Sequence, residues 1–190
     1  GDDIYSFVVP PKVYQVEGSE DYSQNPVLYG DFGVFEEESS VDMRMDLGYD
    51  VFAEVSGLNS RSGESAYEGD HVLSYIAASQ QEFSLNLTSG LLRNMSDYDK
   101  GSVQFAIKSD LSNDILIGLA DSTGAEKYVT FTATGKNSFV RDGKWHKIYL
   151  TLADFAYEID LSVLKKMLII KGTAASDGYI SIDQVLFKQT

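Results

Sequence analysis

The strongest constraint on this chain is a series of short stretches in which apolar and polar residues alternate one by one, with turn residues between them. Phe83-Ser84-Leu85-Asn86-Leu87 puts Phe83, Leu85 and Leu87 on one side of an extended strand. Val103-Gln104-Phe105-Ala106-Ile107-Lys108 repeats the pattern, as do Val129-Thr130-Phe131 and the run from His146 to Leu152, where Ile148, Leu150 and Leu152 share a side. Two other runs, 114–120 and 167–170, are almost continuously apolar, the mark of central strands covered on both faces. Thr123-Gly124, Thr134-Gly135, Asp142-Gly143 and Asp177-Gly178 supply the turns. Helical spacing is confined to short pieces, chiefly 160–166 behind a candidate cap at Asp160. The side chains agree, with 12 Tyr and 10 Phe suited to a pleated, half-buried surface. About ten strands at intervals of roughly 8–12 residues predict an all-β fold. The expected architecture is a β-sandwich of jelly-roll type, two antiparallel sheets with Phe105, Ile107, Ile117, Ile148, Leu150 and Ile182 in the core.

The 190 residues suit one such domain. Residues 1–25, with Pro10, Pro11 and the polar Glu17–Asp21, read as a lead-in or linker, and 26–190 as the sandwich. The stretch 56–70, rich in Ser, Gly and acid, is too long for a simple hairpin and is expected to be either a binding loop or a disordered segment. No window approaches the roughly 18–20 continuous apolar residues of a membrane span. Gly1-Asp2-Asp3 opens without a basic stretch followed by an apolar run, so the chain is expected to be either cytosolic or already trimmed, with any export signal then outside this chain.

Charge narrows the partners. Fifteen Lys and Arg against 29 Asp and Glu give a net charge of -14, and residues 1–70 carry nearly all of the excess. Such a chain repels a phosphate backbone, which sets nucleic acid and anionic lipid aside. The absence of cysteine removes disulfides, thiol catalysis and zinc–thiolate sites.

Catalytic constellations fail one after another. His71 and His146 are the only histidines, and each is better read as a strand residue than as a general base or zinc ligand. Neither a phosphate-binding loop nor a GxGxxG turn is present. Glu158-Ile159-Asp160 begins like the paired-carboxylate signature of jelly-roll glycosidases, yet Val163 stands where the second acid is needed. The chain is expected not to turn over glycosides or esters.

Five segments in series carry a resemblance. Met95 to Ser109, Asp142 to Phe155, Asp160-Leu161-Ser162, Gly178 to Val185 and, upstream, Tyr29 to Glu37 resemble, in order, segments of β-sandwich carbohydrate-binding modules. Such modules accompany bacterial agarases, laminarinases and related glycoside hydrolases, and share a galactose-binding-like sandwich with domains that bind no sugar. The resemblance implies a structural calcium ion, with Glu37 and Asp183 at the positions of family ligands and Glu68 as a further candidate. Gln184 stands where the family commonly has a second Asp. Independently, Asp183 interrupts an apolar strand, where a carboxylate needs a partner.

Sugar recognition needs flat apolar faces and fixed polar groups. Tyr49, Phe52 and Tyr67 are the candidate loop platforms, and Tyr75, Lys108, Asp121 and Tyr128 the candidate lining of one concave sheet face. Trp145, at the start of a strand, is expected in the core. The function expected is non-catalytic recognition of a neutral or weakly charged polysaccharide or oligosaccharide by a secreted or cell-surface module, linked to or encoded beside a glycoside hydrolase. The alternative is a galactose-binding-like sandwich for protein assembly or cell-surface adhesion.

Overall fold

The alternating runs fold as strands. The computed structural model describes residues 31–35, 65–69, 72–76, 82–86, 92–135, 137–173 and 178–190. Among them nine strands form: β1 (Phe32–Phe35), β2 (Leu73–Ile76), β3 (Glu82–Asn86), β4 (Ser102–Ser109), β5 (Ile115–Asp121), β6 (Glu126–Phe131), β7 (Trp145–Thr151), β8 (Leu164–Gly172) and β9 (Tyr179–Lys188). One sheet runs β7-β4-β9, and the far side of β9 is shared by β1, with Phe32 opposite Phe187, and β2, with Leu73 opposite Ile182. The other runs β3-β8-β5-β6. Every pairing between strands is antiparallel. This is the predicted β-sandwich.

The core lies between the sheets. Val103, Phe105 and Ile107 of β4, Ile148 and Leu150 of β7, and Ile182 and Phe187 of β9 join Phe83, Leu85, Ile117 and Ile170 of the second sheet in one buried cluster. All six residues expected in the core are there, and burying each such side chain contributes about 1.5–3 kcal/mol. The two continuously apolar runs occupy the interior strands β5 and β8, and Met167 to Ile170 are wholly buried.

Two local expectations change. Asp160 does cap, accepting the Ser162 N–H at 2.9 Å, but the turn it starts covers only Leu161–Val163. Leu164 then opens β8, because one helical turn is costly to nucleate while pairing with β3 and β5 satisfies the backbone at once. The other change is a bulge. Gln104 faces Leu186 whereas Ala106 faces Asp183, so β9 holds one residue more than β4 over this span. Gln184 takes a φ of 47°, uncommon for any residue but glycine, within that extra span.

Candidate functional site

Phase along β7 decides which residues face outward. With Ile148 and Leu150 inward, Trp145, Lys147 and Tyr149 stand on the outer face of the five-stranded sheet, at its edge. The register extends each into a row across the sheet. Trp145 lies opposite Lys108, which lies opposite Ser181, and Ser181 faces Ser74, the two hydroxyls sharing a hydrogen bond of 3.0 Å. Lys147 lies opposite Ala106, which faces Asp183; Tyr149 lies opposite Gln104, which faces Leu186.

The Asp142-Gly143 turn delivers Trp145. Gly143 has a φ of 69° and donates its N–H to the Ser109 carbonyl at 3.2 Å. Asp142 Oδ1 accepts the Lys144 N–H at 3.0 Å and lies 2.8 Å from His146 Nε2, a hydrogen bond that holds the Asp142 carboxyl below its ordinary value. His146 thus braces the turn, as a strand residue.

Residues 65–69 cross the outer face and are pinned at two points. Trp145 Nε1 donates to the Ser65 carbonyl at 3.0 Å. Asp183 Oδ2 accepts the backbone N–H groups of Tyr67 at 2.7 Å and Glu68 at 3.0 Å. The Tyr67 and Trp145 rings meet edge to face, centroids 6.1 Å apart at 64°. The Lys147 ammonium lies 5.5 Å from the Tyr67 centroid and donates to Gln184 Oε1; the Lys108 ammonium lies 5.7 Å from the Trp145 centroid. Tyr67 keeps 45% of its surface exposed. The result is a half-exposed aromatic ring over the sheet, with the Lys147 ammonium near it and the Lys108 ammonium near its Trp145 neighbour.

Beneath it Asp183 is 1% exposed. Burial pushes its carboxyl up; the N–H groups of Glu68, Tyr67 and Gln184 work against that rise, and the Glu68 charge adds to it. A divalent cation beside the two carboxylates would relieve their repulsion. Asp183 Oδ2 is taken up by two amides, whereas Oδ1 accepts only the Gln184 N–H among the described residues, leaving lone-pair capacity for a metal. Among the described residues no group of three or more His, Asp or Glu side chains gathers there, so Asp183 and Glu68 would supply only part of a calcium donor set. Glu37 lies outside the described residues.

Tyr67, Lys108, Glu68 and Asp183 are therefore brought together; other predicted residues are not. Tyr49 and Phe52 lie outside the described residues, and Tyr75 sits in β2 opposite Ile180. Tyr128 is on the other sheet, so one face lined by Lys108 and Tyr128 does not exist. Asp121 is 4% exposed and its oxygens are committed: Oδ1 accepts Thr123 N–H, Thr123 Oγ1 and Ala125 N–H, and Oδ2 accepts Asp160 N–H. Burial pushes its carboxyl up, and these bonds, led by that from Asp160, outweigh burial and hold it below the ordinary value. It is a turn anchor, not a ligand contact. Trp145 is half-buried on the outer face, not in the core. The phase set by Ile148 and Leu150 carries that information in the sequence itself.

On the four-stranded sheet, Tyr128 belongs to a closed charged network. Lys166 pairs with Glu82 at 2.7 Å and Glu126 at 2.9 Å, and Lys171 with the same two at 3.1 and 3.5 Å. Tyr128 donates to Glu126 Oε2 and accepts from Lys171 Nζ, both at 2.7 Å. The Tyr128 bond, with that from Lys166, holds the Glu126 carboxyl down to about 2. The glycosidase-like tripeptide is structural: Glu158 pairs with Lys127, Ile159 is buried and Asp160 caps a turn.

No protein-family model and no curated protein matches the chain. Solved structures do. The chain is similar to an exo-β-agarase, at 16% identity and a TM-score of 0.50, over 67% of this chain and 21% of that one. It is similar to a second agarase at 14% identity and a TM-score of 0.50, over 85% of this chain and 25% of that one. A family 11 carbohydrate-binding module from Clostridium thermocellum aligns at 14% identity and a TM-score of 0.48, over 86% and 96%. The chain thus spans about a fifth to a quarter of the agarases it matches. The likeness to them is one of fold, the β-sandwich that the sequence resemblance implies.

Proposed function

We propose that this domain is a non-catalytic module that holds a polysaccharide on the outer face of its five-stranded sheet. The observation that carries the reading is the exposed Tyr67 ring, braced edge-on by Trp145, with Lys147 beside it bonded to Gln184 and Lys108 over the Trp145 ring. The C–H face of a pyranose packs on such a ring, and amide and ammonium groups take its hydroxyls. Attachment to a polymer raises the effective concentration of a linked or neighbouring hydrolase without chemistry in the module itself. The fold likeness to agarases, of which the chain spans a domain-sized part, supports that setting and makes agarose the first polymer to try. Export to the cell surface or medium belongs to the same reading, because the polymer is outside. The net charge of -14 favours a neutral or weakly charged glycan.

Affinity electrophoresis through agarose, mixed-linkage β-glucan, laminarin and xylan tests this. The parent should be retarded by at least one polymer and release no reducing sugar from it, and Tyr67→Ala should migrate freely with an unchanged melting temperature. A parent retarded by none of them overturns the reading.

A structural calcium ion held by Glu68 and Asp183, with Glu37 as a further ligand, completes the proposal. When bound it would place positive charge beside two neighbouring carboxylates. Chelator should then lower the melting temperature, since a cation that binds only the folded state stabilises it. An unchanged melting temperature, with no calcium found by elemental analysis, removes the ion from the proposal.

A further inference from the structure

Tyr149 stands on the same outer face of β7 as Trp145, four positions along and hence about 13 Å away. It is 63% exposed, and among the described residues the other large apolar or aromatic side chains so exposed are Tyr67, Val140 and Tyr157. Val140 and Tyr157 lie in connections, before the Asp142 turn and after the turn at 152–154. Two of the four thus share one sheet face. An aromatic ring exposed on a strand presents a flat apolar face suited to stack on a saccharide.

The surroundings of Tyr149 fit the same ligand. Gln104 lies directly opposite, and its Nε2 donates to Ser102 Oγ at 3.0 Å, which leaves the amide oxygen as an acceptor beside the ring. Between the two aromatic positions Lys147 leans across the small Ala106 toward Gln184, so the strip from Trp145 to Tyr149 is floored by a methyl group and a lysine stem. The pairing of β7 with β4 has no register break from Ser102 to Lys108, so the spacing of the two positions is fixed. No described strand lies beyond β7. The 64° between the Tyr67 and Trp145 rings keeps both from lying on one flat surface, which suits a single chain and not a crystalline sheet of them.

We propose that Tyr149 and Gln104 form a second contact for the saccharide chain that Tyr67 and Trp145 hold, so that the face selects linear chains long enough to span both. The inference rests on the glycan reading above, and its test separates the two. Titration calorimetry is run with agaro-oligosaccharides from disaccharide to octasaccharide, or with the equivalent series from whichever polymer of the panel retards the parent. Affinity of the parent should rise with length and then level off once both positions are spanned. Tyr149→Ala should weaken the longest chain about tenfold and leave the disaccharide unchanged, whereas Tyr149→Phe should restore the parent value and Tyr67→Ala should weaken every length. If Tyr149→Ala leaves the longest chain unaffected while Tyr67→Ala abolishes binding, the second contact is wrong and the glycan reading stands. If the parent binds no member of the panel, both fall. If the parent self-associates in sedimentation and Tyr149→Ala makes it monomeric, the ring is a contact between copies and the inference is overturned.

Discussion

Asp183 and Tyr67 are 116 positions apart, and the Asp183 carboxylate accepts the Tyr67 backbone N–H at 2.7 Å. A buried acid on the last strand thereby fixes the segment that presents the exposed ring. The bulge at Gln184 supplies the geometry, because the extra residue places Asp183 outward, opposite Ala106, while Ile182 and Val185 remain buried.

Replacing that acid tests the relationship. Asp183→Ala leaves the N–H groups of Tyr67, Glu68 and Gln184 without the acceptor they share. Stability should fall by about 2–4 kcal/mol, discounting for water that reaches the exposed segment. Hydrogen exchange at Tyr67 and Glu68 should accelerate more than at Phe105, and glycan retention should drop with it. Equal acceleration at all three positions would show global loosening instead, and the anchoring role would be withdrawn.

The strands and the core were legible because alternation has a period of two and burial follows it; Val103, Phe105, Ile107, Ile148 and Leu150 needed no long-range information. The site was less so. Asp183 is conspicuous in an apolar strand, yet nothing in its neighbours says that residues 67 and 68 will supply its donors. Lys108 and Tyr128 look equivalent in sequence, each on a strand with its polar side out, and only strand order sends them to different sheets. Trp145 was misread by weighing its hydrophobicity above its phase. Asp121 was misread because a strand-end acid before Thr123-Gly124 looks the same whether it binds a ligand or closes a turn.

Gly118 marks a position where β5 and β6 approach closely. A Cβ there would run into the Lys127 carbonyl oxygen and come within 2.7 Å of Tyr128 Cδ1. Tyr128 can swing away, but the carbonyl belongs to the paired backbone. Gly118→Ala should cost about 1–3 kcal/mol by denaturant unfolding, and adding Tyr128→Ala should not recover it. Full recovery in the double variant would place the clash on the ring.

Acid should weaken the four-stranded sheet through Glu126. Its folded value of about 2 lies below the ordinary 4.5, so the ionised form is favoured by folding. The stabilisation is therefore complete above about pH 4.5 and is lost as pH falls toward 2. Thermal unfolding between those limits should show a fall in melting temperature that Glu126→Gln reduces, while the variant is less stable than the parent at pH 7. Parallel acid profiles for parent and variant would remove Glu126 from the acid limb.

Asp121 offers the sharpest separation of anchor from ligand contact. Its four bonds join the end of β5 to the Thr123-Gly124 turn and to Asp160, the cap of the turn before β8. Asp121→Asn keeps the shape, yet its amide nitrogen replaces one acceptor, so either the Asp160 N–H or the Thr123 pair loses its partner inside the protein. Stability should drop by about 1–3 kcal/mol at pH 7. Because the carboxyl is held below its ordinary value, the difference between parent and variant should shrink as pH falls through the acid range and the parent's carboxyl protonates. Glycan retention of the folded variant should equal the parent's, since Asp121 belongs to the four-stranded sheet and Tyr67 rests on the other. A variant of parental stability that no longer binds would reverse the assignment and return Asp121 to the ligand.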